Sequence, residues 1–434
     1  MGNNTNLKEY YKYNVFAFLI GFGGPTWGAF TYFFAIPVVY LTFLNASKMQ
    51  IGLITAIFWA GFSIPQVWAA YASETKKIKK TFMAAVILLA GIAWIILGLY
   101  IMLTRGANTS LSIWLFLLFF AWSCSLTGMY MPANFSLLFK IIPTERLGQF
   151  LGIIFAIQFG AFVIAGPVIT KIGSAFGEPM NYALMFLLTF IISVLCAIVL
   201  LTIKEPEGEL VEGSQSFGAY LGKCINVIKT DRILTKFIIG KWLMSGHYVM
   251  LAFLLAYRIS ERGFDPMKSG WFNSFHAIGL IIGGFTITKI ADIYGPKYML
   301  LTSHILAIIY VIIAWLIPSP ASWIIFAAFI FTGITQISDN VGYTNMCLFC
   351  CPTKDKSTYV AVTNVGVNIF TVPLPIILGL LMDKGILNYN STFILVMVMM
   401  VAAIIYILTV MENPKAFIEM KAARTQEKAA SQVQ

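Results

Sequence analysis

From residue 13 to residue 411 the chain is a succession of long apolar runs with almost no charge inside them. Each run is ~20 residues or longer, which is the length a helix needs to cross a bilayer. The runs are 13–47, 49–73, 81–104, 106–139, 147–170, 179–203, 233–257, 269–288, 298–338, 357–382 and 385–411. The stretch 298–338 is too long for one span and is broken by Pro318-Ser319-Pro320, so it reads as two helices. Twelve spans result, and an even number puts both termini on one side.

Composition enters as an exclusion. Hydrophobic residues make up 59% of the 434 and charged residues 11%. A soluble protein of this size cannot hide so much apolar surface, which excludes a cytosolic enzyme, a secreted domain and a disordered chain. The net charge of +11 invites a nucleic-acid reading. It fails, because the basic residues lie in short loops between spans and form no single stripe. The six cysteines lie in or beside apolar segments and read as buried thiols, with no metal-ligand set.

Loop charges set the orientation. With the N-terminus inside, 21 of the 29 Lys and Arg residues fall on the inner side and 7 on the outer, and Lys241 lies within a span. Both termini are therefore expected in the cytoplasm, with the chain as a multi-pass protein of the cell membrane.

The chain is also written twice. Glu74 after span 2 has a counterpart in Asp292 after span 8. Pro143-Thr144 after span 4 recurs as Pro352-Thr353 after span 10. Glu205-Pro206 after span 6 is echoed by Glu412-Asn413-Pro414 after span 12. Landmarks at nearly one offset indicate a duplicated six-helix unit. The expected fold class is an all-α polytopic membrane protein with twelve transmembrane helices as two six-helix repeats. The expected divisions are 1–203 and 233–411 for the halves, 204–232 for a cytoplasmic linker and 412–434 for a tail. In the linker Phe217, Tyr220, Leu221, Cys224, Val227 and Ile228 recur at helical spacing. They predict an amphipathic helix, lying on the membrane surface or packed against the base of the bundle.

Two loops carry a resemblance. Loop 8–9 reads Ala291-Asp292-Ile293-Tyr294-Gly295-Pro296-Lys297, and loop 4–5 reads PTERLG from Pro143 to Gly148. Together with the twelve spans, these resemble the major facilitator superfamily, whose loops 2–3 and 8–9 run roughly G-x-x-x-D-R-x-G-R-K. Loop 2–3 (AYASETKKIKK) keeps only the acid Glu74 and a basic run. The resemblance implies a conformational latch built on Asp292, Gly295, Lys297, Glu74 and Arg146, in which an acid caps a neighbouring helix and Gly permits the turn. The plainer reading of these charges is that they set topology. The resemblance also implies that spans 1, 4, 7 and 10 line a cavity and that 3, 6, 9 and 12 face lipid.

Asp339 in span 10 is the one acid well inside a span, and a lone carboxylate there costs at least a few kcal/mol. It must be protonated or paired, with Lys241 or a His as partner. Lys241 lies about ten residues into span 7, roughly 15 Å by helical rise. It is placed to bind an anionic group, to pair with Asp339, or to snorkel to the interface. Gln336, Asp339, Asn340 and Tyr343 are expected on one helical face. His247 and His276 are predicted mid-span, as coupling groups or as ordinary buried imidazoles. Trp27 in the glycine-rich span 1 and Gln66 in span 2 are candidate cavity residues, and Asn364 and Asn368 are placed to bond across the seam between halves.

The expected function is a secondary active transporter moving a small organic solute by alternating access, with protons as a candidate coupling ion. A polyspecific exporter and a non-transporting sensor on the same scaffold are the alternatives. No nucleophile–base pair points to an enzyme, and no cofactor or nucleic-acid partner is expected. The expected partners are the solute, protons and the lipid bilayer, with the chain acting as a monomer.

Overall fold

The computed structural model describes residues 35–74, 77–141, 147–207, 217–318, 323–350, 356–414 and 418–419. Trp27 and Arg146 lie outside them. Every regular element described is a helix. That follows from the solvent, because a backbone in hydrocarbon must satisfy its own N–H and C=O groups.

The helices are α1 (Ile36–Phe43), α2 (Lys48–Glu74), α3 (Lys80–Thr104), α4 (Thr109–Ile141), α5 (Leu147–Ala175) and α6 (Met180–Thr202). The amphipathic linker helix is α7 (Phe217–Thr230). Then come α8 (Arg232–Met244), α9 (Gly246–Ser260), α10 (Gly270–Thr286), the short α11 (Thr288–Tyr294), α12 (Pro296–Leu316), α13 (Trp323–Cys350), α14 (Lys356–Thr371), α15 (Pro373–Asp383) and α16 (Tyr389–Thr409). Among the described residues, nine helical segments are long and apolar enough to cross a membrane.

Among the described residues, two spans are not the single helices that their apolar runs predict. Span 7 is broken at Ser245 into α8 and α9, and span 11 is broken at Val372 into α14 and α15. Pro373 explains the second break, since proline supplies no N–H to the preceding turn. The break at Ser245 has no proline. There the Ser245 hydroxyl donates to the Trp242 carbonyl at 2.6 Å, and the His247 ring nitrogen Nδ1 lies 2.8 Å from the Met244 carbonyl. Side chains thus replace the backbone donors the carbonyls lose.

Packing repeats with a period of six spans. Helix α2 packs on α4 as α10 packs on α13, and α3 packs on α6 as α12 packs on α16. The seam contacts, α5 on α10 and α2 on the span formed by α14 and α15, exchange under the same two-fold relation. One of the landmark pairs read from the sequence, after spans 6 and 12, is equivalent at the level of atoms. Glu205 accepts from the amides of Lys79 and Lys80 at 2.8–2.9 Å, capping α3. Asn413 accepts from the Lys297 amide at 3.2 Å, at the start of α12. Lys80 then reaches the Ile203 carbonyl at 2.6 Å, and Lys297 the Leu408 carbonyl at 3.2 Å. A carboxylate holding two backbone amides is worth more than a neutral side-chain amide, which accepts from the Lys297 N–H and donates to the Tyr294 carbonyl. Glu205→Ala is therefore expected to destabilise the protein by about 1–2 kcal/mol, and Asn413→Ala by less, read from thermal unfolding midpoints.

Apolar side chains at helical spacing face outward on α6 (Ile191, Leu195, Ile198) and α16 (Ile394, Val398, Val401, Ile405). These stripes suit lipid contact. In the linker helix, Val227 and Ile228 pack on the cluster that holds Leu234 and Ile238, so its last turn rests on the base of the bundle.

Candidate functional site

The two intramembrane charges meet. Lys241, in the last turn of α8, is 3% exposed, and Asp339, midway along α13, is 1% exposed. The Lys241 Nζ lies 2.7 Å from Oδ1 and 2.6 Å from Oδ2 of Asp339. The break in span 7 restarts the chain as α9, and the Tyr248 hydroxyl on its first turn donates to Oδ2 of the same carboxylate. The rings of Tyr248 and Tyr343 flank the ammonium, each centroid 5.7 Å from Nζ. The arrangement is neutral overall, and both carboxylate oxygens are bonded. That combination is the condition for holding charge in a low-dielectric interior.

A second layer surrounds the pair. His247 stands edge-on to His304 of α12, with centroids 5.4 Å apart, and both rings are buried. His304 Nδ1 lies 2.8 Å from the Leu300 carbonyl. The Tyr310 hydroxyl donates to the His247 carbonyl at 2.9 Å.

The site reaches across the seam. Trp59 of α2 lies against the Tyr248 ring, with centroids 4.5 Å apart. The Tyr343 hydroxyl donates to Asn364 Oδ1 at 2.5 Å, and Asn364 Nδ2 donates to Gln66 Oε1 of α2 at 3.2 Å. One turn on, Asn368 Nδ2 donates to the Ser63 hydroxyl at 2.6 Å. A chain of polar contacts therefore runs from the ion pair's aromatic cage to the other half.

The remaining predicted residues separate. Asp339 and Tyr343, one turn apart, converge on Lys241, but Asn340 is exposed. A single residue turns the helix by ~100°, enough to carry Asn340 off the face that it was expected to share. Gln336 sits beside His276 of α10, whose Nδ1 is 2.7 Å from the Thr332 hydroxyl, so these two meet in the contact of α10 with α13 rather than at the pair. Gly295 has φ 95 and N-caps α12, the turn conformation expected of it. Lys297 bonds α16 within its own half rather than crossing the seam. Glu74 ends α2 and Asp292 lies in α11. Gly295→Ala forces a left-handed φ on a side chain and is expected to cost about 1–2 kcal/mol, seen as a lower unfolding midpoint.

Sequence reasoning missed His304. It lies on span 9, a span expected to face lipid, but Ser303-His304 is a polar pair in an otherwise apolar stretch and was a readable signal.

The model of the Major Facilitator Superfamily matches residues 18–368 and 250–431. The chain belongs to the major facilitator superfamily. No curated protein matches it by sequence. Among solved structures, a superfamily-like fold recurs in a mutant of the nucleoside transporter NupG, with a TM-score of 0.72 at 13% identity over 94% of this chain and 100% of that one. A POT family transporter in complex with 5-aminolevulinic acid gives 0.65 at 12% identity over 92% and 95%. A bacterial homolog of the human lysosomal transporter Spinster, inward-facing and unoccupied, gives 0.57 at 15% over 95% and 96%. At such identities these likenesses show the fold. As a superfamily member, the chain is a multi-pass membrane transporter.

Proposed function

We propose that the chain is a secondary active transporter that moves a small organic solute by alternating access. The moving bodies are the halves 1–203 and 233–411, joined by the linker 204–232. The loop charges support a cell-membrane protein with both termini in the cytoplasm.

The observation that carries this reading is the buried Lys241–Asp339 pair beside the seam. Apolar packing is usually at least as stabilising as a buried pair, so stability is a weak reason to keep one. Ionisable groups inside a membrane mark substrate or ion pathways. Here the pair is caged by Tyr248 and Tyr343, and the Tyr248 ring meets Trp59 of the opposite half. A neutral, fully bonded pair lined by aromatic rings and amides favours a neutral solute with its own donors and acceptors. A proton on Asp339 would remove the charge that holds Lys241 while leaving Tyr248 an acceptor, so the pair also supplies a coupling device. The neighbours described as a nucleoside transporter and as a complex with 5-aminolevulinic acid fit the same size class of cargo.

A thermal-shift screen of small neutral organic solutes on purified protein tests this reading. At least one is expected to raise the midpoint of the wild-type protein by mass action. The same solute is expected to leave Lys241→Met/Asp339→Leu unmoved. An undiminished response in that variant would place the binding site elsewhere.

A further inference from the structure

The end of span 11 carries a sequence that the landmarks of the duplication leave unused: Gly379-Leu380-Leu381-Met382-Asp383-Lys384-Gly385. It has the ingredients of the latch loop after span 8, an acid followed closely by a basic residue and a glycine, but at the opposite face of the membrane. Each six-helix half of this architecture contains two inverted three-helix units, and in the second half spans 8 and 11 are counterparts.

The geometry completes the likeness. Asp383 accepts from two backbone amides across the seam, Lys48 at 2.8 Å to Oδ1 and Met49 at 2.9 Å to Oδ2. These amides open α2, a helix of 27 residues, so a carboxylate from one half caps a helix of the other. Gly379, one turn earlier, permits the approach. A Cβ there would stand 2.5 Å from the Lys48 carbonyl oxygen and 2.6 Å from the Met49 Cα. Gly52 makes the reciprocal approach, and a Cβ on it would collide with the Pro375 carbonyl oxygen. Gly385 turns the chain with φ 71. The Lys48 ammonium then lies 4.4 Å from the Tyr389 ring centroid, a further contact across the seam.

We propose that Asp383, seated by Gly379, is a latch that holds the external face closed, an inverted counterpart of the Asp292 loop. It is a positioning residue, since it touches backbone of the other half and lies far along the span from Lys241 and Asp339. The proposal rests on the alternating-access reading. When the halves rock to open the external face, the two amide bonds break and α2 loses its cap. The bonds therefore weight the equilibrium toward the externally closed state and set how often the site meets the outside.

Double electron–electron resonance on the full chain in nanodiscs tests this. Spin labels at Asn108 and Glu261, both exposed, report the external separation of the halves; a second pair on the cytoplasmic loops reports the other face. Asp383→Asn keeps the size of the side chain and removes its charge. It is expected to raise the population of the longer external distance by about fivefold or more, the factor that a capping interaction of this kind supports. Lys171→Gln, an exposed charge at the same face but outside this sequence, is expected to leave it unchanged. An external distribution identical in Asp383→Asn, Asp383→Ala and the wild type would overturn the latch. If the wild type still shows two distance populations at each face, the rocking of the halves stands without this latch; if it shows a single distance at both faces, the alternating-access reading falls with it.

Discussion

Asp339→Ala is expected to destabilise the folded protein by about 3–5 kcal/mol. The substitution leaves the Lys241 ammonium 3% exposed with no counter-charge, and it strips the Tyr248 hydroxyl of its acceptor. Lys241→Met leaves a carboxylate equally stranded and is expected to cost a similar amount. The double variant Lys241→Met/Asp339→Leu removes both charges and fills the space with apolar atoms, so it is expected to recover most of the loss. Unfolding midpoints in detergent for the wild type, Asp339→Leu, Lys241→Met and the double variant form a double-mutant cycle. Additive losses would mean that the two side chains do not depend on each other, contrary to the 2.6 Å contact between them.

The second large effect concerns backbone approach rather than charge. Helices α10 and α13 cross at Gly279 and Gly333. A Cβ on Gly333 would collide with the His276 carbonyl oxygen, and one on Gly279 with the Ile330 carbonyl oxygen. Small residues let backbones meet in this way where lipid gives no hydrophobic drive for helices to associate. Both obstacles are backbone, so no side chain can swing aside. Gly333→Ala is expected to cost about 1–3 kcal/mol through overpacking. Gly333→Leu forces the two helices apart and is expected to abolish recovery of monodisperse protein. A Cβ on Gly284, on the same helix as Gly279, would meet nothing within 4 Å, so Gly284→Ala should behave like the wild type in the same size-exclusion assay.

Much of the fold was legible because the membrane makes it so. A charge inside a span is costly, so charge-free runs mark the helices, and the break that begins at Pro318 separated α12 from α13 as expected. The duplication was legible in Glu205 and Asn413 because a helix start needs a cap, and these residues cap equivalent helices. The Lys241–Asp339 pair was legible for the same reason that the spans were: two charges stood where the rest of the chain had none.

What escaped the sequence depends on geometry between segments. The break at Ser245 has no proline to announce it, and it is stabilised by His247 and Ser245 only once the helix has opened. Asn340 shares a helix with Asp339, yet one residue of rotation separates a buried carboxylate from an exposed amide. The face that a residue shows depends on the crossing of α8 and α13, which periodicity alone does not give. Asp383 reads as an ordinary loop acid until the start of α2 is placed beneath it, 335 residues away in the chain.

The central claim, that the buried pair is the heart of a transport site, is tested most directly by flux. Proteoliposomes carrying the wild-type protein and loaded with the solute that stabilises it are predicted to exchange that solute with a labelled external pool. Vesicles carrying the folded Lys241→Met/Asp339→Leu protein are predicted to show none. Exchange of equal rate in both would contradict the account, as would a wild-type protein that binds the solute and never moves it across the membrane.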